Sequence, residues 1–527
     1  MAHPIDELPV STEERTSRKE PAGAGSIILR RCLLVCAVTL VLLLVVGTVV
    51  LIVEWPFTRE KIAQHLGEAT GTKVEFKNFR AMHFPYPGCV AEALEFKLPT
   101  SNVPPLITMA RLTIRGSYLD LFTRHVAVMT AEGMHVVIPP FGTNWANNRS
   151  KSKVVIHVFR TDGATLDFTR AESKPPLRFA IHTFELHELG SDDPMAFQSF
   201  LHIPLPPAEV QITGQLGPWE SQSSSETPLE GSYTLMNGNF DSFGGIKGNL
   251  SSEGKFAGIL KRLQVQGVTN TPNFGADGSD NRLPLQSQYQ TVVNATDGDI
   301  TLQSVKARLG NTAISATGAI RGTPNQKGKT VDVNLAVQDG RVEDVLGLFA
   351  KKESPMIGTI SFRAHARIPP DSEPFLKKVE LQGRFGITHG QLTSSHSQRS
   401  MDTLSADARG AKDKKKAKED PERVFSNLSG NVTLKSGIAD FKGLEFAVPG
   451  AVAHMGGTFN VLNERVDMKG TLQMQAKLSN ATSGIKSFIV KLIDPFIHKD
   501  HSQAPLPVSI TGTYDHPRYQ VSPTKKQ

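Results

Sequence analysis

Three observations predict a mainly β chain tethered by a single N-terminal transmembrane helix. Residues Cys32 to Val53 form 22 consecutive uncharged, mostly aliphatic positions. Beyond Gly71 the apolar periodicity drops from 3.6 to 2, the period of strands with one apolar and one polar face. Two of the three cysteines, Cys32 and Cys36, lie in the apolar run, so Cys89 has no partner beyond it for an internal disulfide. Stability of the part beyond the run must then come from a large core and from sheet hydrogen bonds.

The apolar run comes first. At 1.5 Å per residue it makes roughly 33 Å of helix, enough to cross a hydrocarbon core about 30 Å thick. Arg30 and Arg31 precede it, and Glu54 and Trp55 follow. The positive-inside bias leaves residues 1–29, a polar segment expected to be disordered, in the cytoplasm and sends the bulk across. A cleaved signal peptide would have an apolar core of about 7–15 residues and a small-residue cleavage site. Val50-Leu-Ile-Val-Glu-Trp55 offers none.

After the anchor (30–55), Thr58 is placed to cap a short helix with apolar positions Ile62, Ala63, Leu66 and Ala69, and Gly71 to end it. Alternating segments follow at Thr72–Phe79, Val90–Leu98, Leu106–Ile114, His125–Met129, Val154–Val158, Thr165–Phe168 and Phe179–Leu189, an N-terminal β region over 56–190. A central β region (191–395) continues with strands such as Gln211–Leu216, Ala316–Ile320 and Leu381–Ile387. Residues 396–423 are expected to hold a helix near Arg399–Ala408 and an exposed Lys-rich loop. The C-terminal β region (424–520) carries an amphipathic helix over 484–497, and 521–527 form a tail. A further helix is expected at Arg341–Leu348.

A net charge of +7 on 527 residues is modest and spread out, which argues against a nucleic-acid groove. Catalytic patterns are equally scarce. Gly248-Asn-Leu-Ser-Ser-Glu-Gly-Lys-Phe256 has one residue too many between its glycines for a phosphate loop, and Phe256 stands where a Mg²⁺-holding Ser or Thr belongs. His182, Glu185, His187 and Glu188 are metal-capable, but strand alternation places His182 and His187 on opposite faces, and no HExxH pattern exists. No Gly-x-Ser-x-Gly elbow occurs. The expectation is a protein with no enzymatic activity, cofactor or metal.

A sheet that alternates for hundreds of residues must cover its apolar face. A sandwich or closed barrel covers it with itself, whereas a curled sheet leaves a gutter that takes acyl chains. Periodicity alone leaves these open.

The block Phe57-Thr-Arg-Glu-Lys-Ile-Ala-Gln-His-Leu-Gly-Glu-Ala-Thr-Gly-Thr-Lys-Val-Glu-Phe76 resembles the opening of AsmA-family proteins. Ala110–Phe122, Gly214–Trp219, Thr227–Tyr233, Gly254–Gly258, Lys486–Phe496 and Ile510–Pro517 extend the likeness over most of residues 30–520. The wider group includes TamB-like and YhdP-like proteins and is similar to chorein-type bridge proteins. The resemblance implies an inner-membrane-anchored periplasmic protein with a long, twisted and curled antiparallel β-sheet forming a hydrophobic groove. It further implies passive movement of phospholipid toward the outer membrane, and so a part in outer-membrane biogenesis. Some 20–25 strands at about 4.8 Å each would give roughly 95–120 Å of sheet.

On this expectation the end nearest the anchor loads lipid, lined by Val74, Phe76, Leu94, Phe96, Ile107, Leu112 and Ile114, which are also what a plain sheet core would contain. Ile485, Phe488, Ile489, Leu492, Ile493 and Phe496 would cap the open end of the sheet or dock on a membrane. The partners implied are the inner membrane, phospholipid and an outer-membrane or periplasmic protein, with no nucleic acid. The rival is a periplasmic scaffold that carries no lipid and assists outer-membrane protein assembly by strand addition.

Overall fold

A computed structural model describes residues 55–98, 105–118, 125–138, 154–168, 176–218, 223–277, 279–323, 328–348, 353–370, 373–409, 424–474, 505–513 and 517–521. The expected anchor Cys32–Val53, the Lys-rich loop and the 484–497 helix lie outside the described residues. No described helix is long and apolar enough to cross a membrane. The chain divides into two units, Met1–Ile62 and Ala63–Gln527, and every strand belongs to the second.

Helix α1 (Arg59–Thr70) forms where the pattern places it. The Lys61 amide donates to Thr58 Oγ1 at 3.4 Å, and Gly71 leaves the helix at φ +69°, a left-handed turn that glycine takes without strain.

Strands then follow without a break in kind. They begin with β1 (Lys73–Met82), β2 (Gly88–Lys97), β3 (Ile107–Arg115), β4 (His125–Glu132), β5 (His135–Ile138) and β6 (Val155–Phe168). Next come β7 (Leu177–Leu189), β8 (Met195–Pro204), β9 (Pro207–Leu216), β10 (Pro228–Asn239), β11 (Ile246–Lys247) and β12 (Asn249–Ile259). Then β13 (Arg262–Ala276), β14 (Leu283–Val293), β15 (Ile300–Leu309), β16 (Thr312–Gly322), β17 (Lys329–Arg341), β18 (Met356–Ile368) and β19 (Glu380–Leu392). The last six are β20 (Ser426–Lys435), β21 (Ile438–Val448), β22 (Ala451–Asn460), β23 (Arg465–Met474), β24 (Leu506–Thr513) and β25 (Pro517–Val521). Among the described residues, three short α-helices interrupt them: α2 (Val342–Gly347), α3 (Phe375–Lys378) and α4 (Ser395–Arg409).

All 25 strands join one sheet. From β6 to β10 and from β12 to β25 each strand pairs antiparallel with the next, and β10 pairs directly with β12 while β11 sits beside the end of β13. At about 4.8 Å per strand spacing this meander measures roughly 86 Å along the sheet. The expected all-antiparallel order fails at one point, since β4 and β5 pair parallel with β6. Gly133, at φ +60°, splits one strand position into β4 and β5, both of which face β3. Residues 139–154 then join β5 to β6, a connection long enough for the crossover that parallel pairing needs.

Register shifts recur between Gln290 and Thr291, Val337 and Gly340, Ile387 and Gly390, and Phe441 and Leu444. Each leaves residues unpaired on one strand, which bends it and increases local twist.

The polar face is cross-linked by charge. Asp167 on β6, 4% exposed, receives both Arg178 Nε at 2.8 Å and Arg178 Nη2 at 2.7 Å from β7, and lies 3.0 Å from His135 Nε2 on β5. The guanidinium, with help from the imidazole and against the cost of burial, lowers the Asp167 carboxyl to about 2. A carboxyl depressed in the folded state contributes stability above its unfolded value of about 3.9 and loses that contribution as pH falls toward about 2. Arg178→Gln is therefore expected to lower stability at neutral pH and to raise the acid limb of the thermal melting profile toward pH ~4 or above. Wild type and variant should converge below about pH 2. A constant difference across the whole pH range would show that the pair does not act through Asp167.

Candidate functional site: the inward apolar face

Cross-strand register fixes which side chains share a face. Val293, Ile300, Ile320, Val331 and Ile368 form one inward row across β14–β18, and Tyr289, Val305, Ala316, Leu335 and Ala364 another. The rows continue through Phe385, Val432 and Phe441 to Met455, Met468 and Ile510. Residues directly outward of these, such as Thr301, Ser315, Asn334, Arg363, Arg384, Asn431 and Lys442, are exposed and polar. Among the described residues of β8–β24, one charged side chain has inward parity: Lys329 at the very end of β17. Its ammonium turns to Asp299 and the Asp297 carbonyl on the rim.

Burial separates two parts of this face. Near the N-terminal end it is a closed core, with Leu94, Phe96, Leu112 and Ile114 at 3% exposure or less. Farther along, Leu302, Val333, Leu335, Phe362, Phe385, Leu434 and Phe441 are only partly covered. A second layer would bury them fully, as it does in sandwiches. Instead two short helices cover one rim. Val342 and Leu346 of α2 pack with Val337, Met356, Ile360 and Ile387. Met401, Leu404 and Ala408 of α4 pack with Val424, Val448 and Ala451.

Polar anchors hold both helices in place. Asp344 of α2 accepts from the Asn311 amide at 2.9 Å and from Thr312 Oγ1 at 2.8 Å. In α4, Gln398 Nε2 donates to Asp402 Oδ1 at 2.7 Å and to the Val424 carbonyl at 3.1 Å, while the Val424 amide donates to Asp402 at 3.0 Å. Every buried polar atom at these contacts is thus partnered, which buried helix ends require.

The seven residues expected to load lipid are brought together. Val74 pairs with Phe96 and Phe76 with Leu94 across β1 and β2, and Phe96 meets Ile107 across β2 and β3. Leu112, opposite Ala91, and Ile114, opposite Cys89, lie in further rows of the same three strands. Ile107 is partly exposed, and the other six are buried. They form the packed start of the face, while the surface open to a ligand lies beyond β5. The open stretch carried its own signal in Val331-Asp-Val-Asn-Leu-Ala-Val337, with apolar residues at every second position. The end-cap set Ile485, Phe488, Ile489, Leu492, Ile493 and Phe496 lies outside the described residues.

One expectation about the histidines is overturned. His182 and His187 both lie on the outward face, because the register shift between Ile181 and Thr183 turns His182 over. His182 Nε2 and His202 Nδ1 flank Glu209 at 3.0 Å and 2.9 Å, and His187 Nε2 lies 2.8 Å from Glu185. Glu209 thus bridges two histidines and Glu185 meets one; no group of three or more His, Cys, Asp or Glu placed to hold a metal ion occurs among the described residues. Cys89 is fully buried, and burial pushes its thiol up to about 12, far from a reactive thiolate. The segment Gly248–Phe256 runs into strand β12 with Ser252 and Phe256 buried, unlike a phosphate cradle at a helix N-terminus.

A groove of about 580 Å³ lies across β10 and β12–β15, lined mostly by outward-row residues such as Lys255, Gln266, Gln288, Gln290 and Lys306, together with Tyr233, Gly254, Gly267 and Tyr289 of an inward row. We assign the candidate site to the apolar face all the same, because its chemistry continues from strand to strand while this groove is local. No family model, curated protein or solved structure matches the chain.

Proposed function

We propose that the chain is a lipid conduit: an inner-membrane-anchored, AsmA-like periplasmic protein that passes phospholipid toward the outer membrane along its apolar face. The observation that carries this reading is the inward face from β8 to β24, which is apolar, free of charge between its rims and only partly covered. Exposed apolar surface of that extent on a soluble fold marks an interaction site. Acyl chains fit it because each CH₂ removed from water contributes about 0.8 kcal/mol, with no need for directional groups. The headgroup stays in water along the rim that α2 and α4 leave uncovered. Transfer is passive and needs no catalytic side chain. A scaffold that carries no lipid would be served by a filled, closed core; among the described residues the first strands have one, and farther along such packing gathers at the rim under α2 and α4.

The test is lipid capture. Residues 57–527 are incubated with cell membranes, re-isolated without detergent, and their organic extract analysed by mass spectrometry. Photocrosslinkers at Leu335 and Phe441 should yield stoichiometric phospholipid adducts. A lipid-free protein with unreactive probes at both positions would leave the scaffold reading in its place.

A further inference from the structure

The apolar face is not uniform. In β10–β14 its inward rows hold Tyr233, Ser252, Thr269, Ser287, Tyr289 and Thr291. Ser252 Oγ lies 2.9 Å from the Val268 carbonyl and 3.2 Å from each of the Tyr233 and Tyr289 hydroxyls. Thr269 and Ser287 bond each other at 2.6 Å in the same cross-strand row as Ser252. Both tyrosine rings lie down on the sheet over glycines. A Cβ on Gly254 would come within 2.8 Å of Tyr233 Cε1, and one on Gly267 within 2.7 Å of the Tyr289 hydroxyl oxygen. From β15 to β24, by contrast, the hydroxyls in the described inward rows are Thr312 and Ser426. Both are buried and hydrogen-bonded beside the helix-covered rim.

The proton count in the cluster is informative. Ser252 has one proton, which goes to Val268 O, so both phenols donate to its oxygen. Burial raises the Tyr233 pKa, which keeps that phenol a neutral donor. Each phenol can redirect its proton to a ligand acceptor, exchanging one neutral hydrogen bond for another at little net cost. Nowhere else in the described inward rows of β8–β24 do two donors stand together over bare glycine backbone.

We propose that the Tyr233–Ser252–Tyr289 cluster is a polar waist in the lipid path, where the ester carbonyls of a diacyl lipid accept phenol hydrogen bonds and the lipid pauses between two apolar stretches. This inference rests on the conduit reading and adds to it a substrate class, lipids with acceptor groups beside their chains.

The experiment compares diester phosphatidylethanolamine with its diether analogue of equal chain length, in vesicle-to-vesicle transfer by the full chain. Wild type should discriminate between them by about three- to tenfold, the worth of one hydrogen bond of about 1 kcal/mol. In the Tyr233→Phe/Tyr289→Phe double variant, whose rings still cover their glycines, the ratio should collapse to about one. Equal rates for both lipids with wild type, or discrimination that survives the double variant, would overturn the waist while leaving the conduit standing. Failure to move either lipid would overturn both. Because the wild-type ratio decides first, a poorly folding variant does not shield the proposal, and single Tyr289→Phe serves as the milder replacement.

Discussion

Replacing Leu335 by glutamate is expected to slow lipid transfer at least ~tenfold while leaving the sheet folded. Leu335 stands in the middle of β17, facing inward between Ala316 on β16 and Ala364 on β18. Its small neighbours make it the main apolar contact at that point of the row. A carboxylate there holds its own water, and an acyl chain lying along the row would be lifted off it. Displacing two methylenes costs about 1.6 kcal/mol, which exceeds the 1.4 kcal/mol of a tenfold change. The fold should tolerate the charge because the position is only partly covered and water already reaches it. Gln382→Glu, on the exposed outward row of β19, adds the same charge to the other face and should leave transfer unchanged. Circular dichroism checks the fold, and vesicle transfer reads the effect. If both variants slow transfer equally, a general electrostatic effect is at work. If neither does, lipid does not travel over β17.

Why such a residue was not singled out from sequence is a matter of what period 2 encodes. Alternation in Val331–Val337 states that two faces differ, and the register agrees, with Val331, Val333, Leu335 and Val337 in inward rows and Asn334 exposed on the other face. It does not state whether a second layer covers the apolar side, because a sandwich strand and a gutter strand alternate alike. The caps were legible: Thr58 and Gly71 bound α1 as their chemistry requires, and the helix expected at Arg399–Ala408 forms as Ser395–Arg409. The bulges were not. Glu188, Asp339 and His389 adopt positive φ at 55°, 52° and 54°, although none is glycine or asparagine. A one-residue shift likewise reverses every later side chain on its strand, and the shift between Ile181 and Thr183 is how His182 shares a face with His187. The hydroxyl waist was illegible for a different reason. Ser252 and Tyr289 are 37 residues apart, and only the registers of β12, β13 and β14 together bring them within hydrogen-bonding reach.

Phe96→Ala is expected to destabilise the first strands by about 3–5 kcal/mol, the range for emptying a buried aromatic site. Phe96 is 2% exposed, opposes Val74 on β1 and Ile107 on β2's other flank, and its carbonyl holds the Leu106 amide at 2.9 Å. Backbone bonds and neighbouring strands keep the site from collapsing onto the space, so most of the loss should be felt. The effect should also stay local. From β6 onward almost every packing contact joins a strand to its sequence neighbour, as in repeat proteins, where stability is close to a sum of nearest-neighbour terms. Unfolding of such a sheet need not be one two-state event. Amides of β1–β3 should lose hydrogen-exchange protection by ~100-fold or more, and those of β15–β23 should keep theirs. Uniform loss along the chain would mean that the sheet folds as one cooperative unit and that the nearest-neighbour description is wrong. The contrast with Leu335→Glu is the useful part. One change damages the packed start of the face without touching its open stretch, and the other does the reverse. If lipid must pass the closed core at β1–β3 to reach the open rows, Phe96→Ala will alter loading. If lipid enters from the uncovered rim beyond β5, transfer will survive a frayed first hairpin. The pair of variants thereby locates where the path begins.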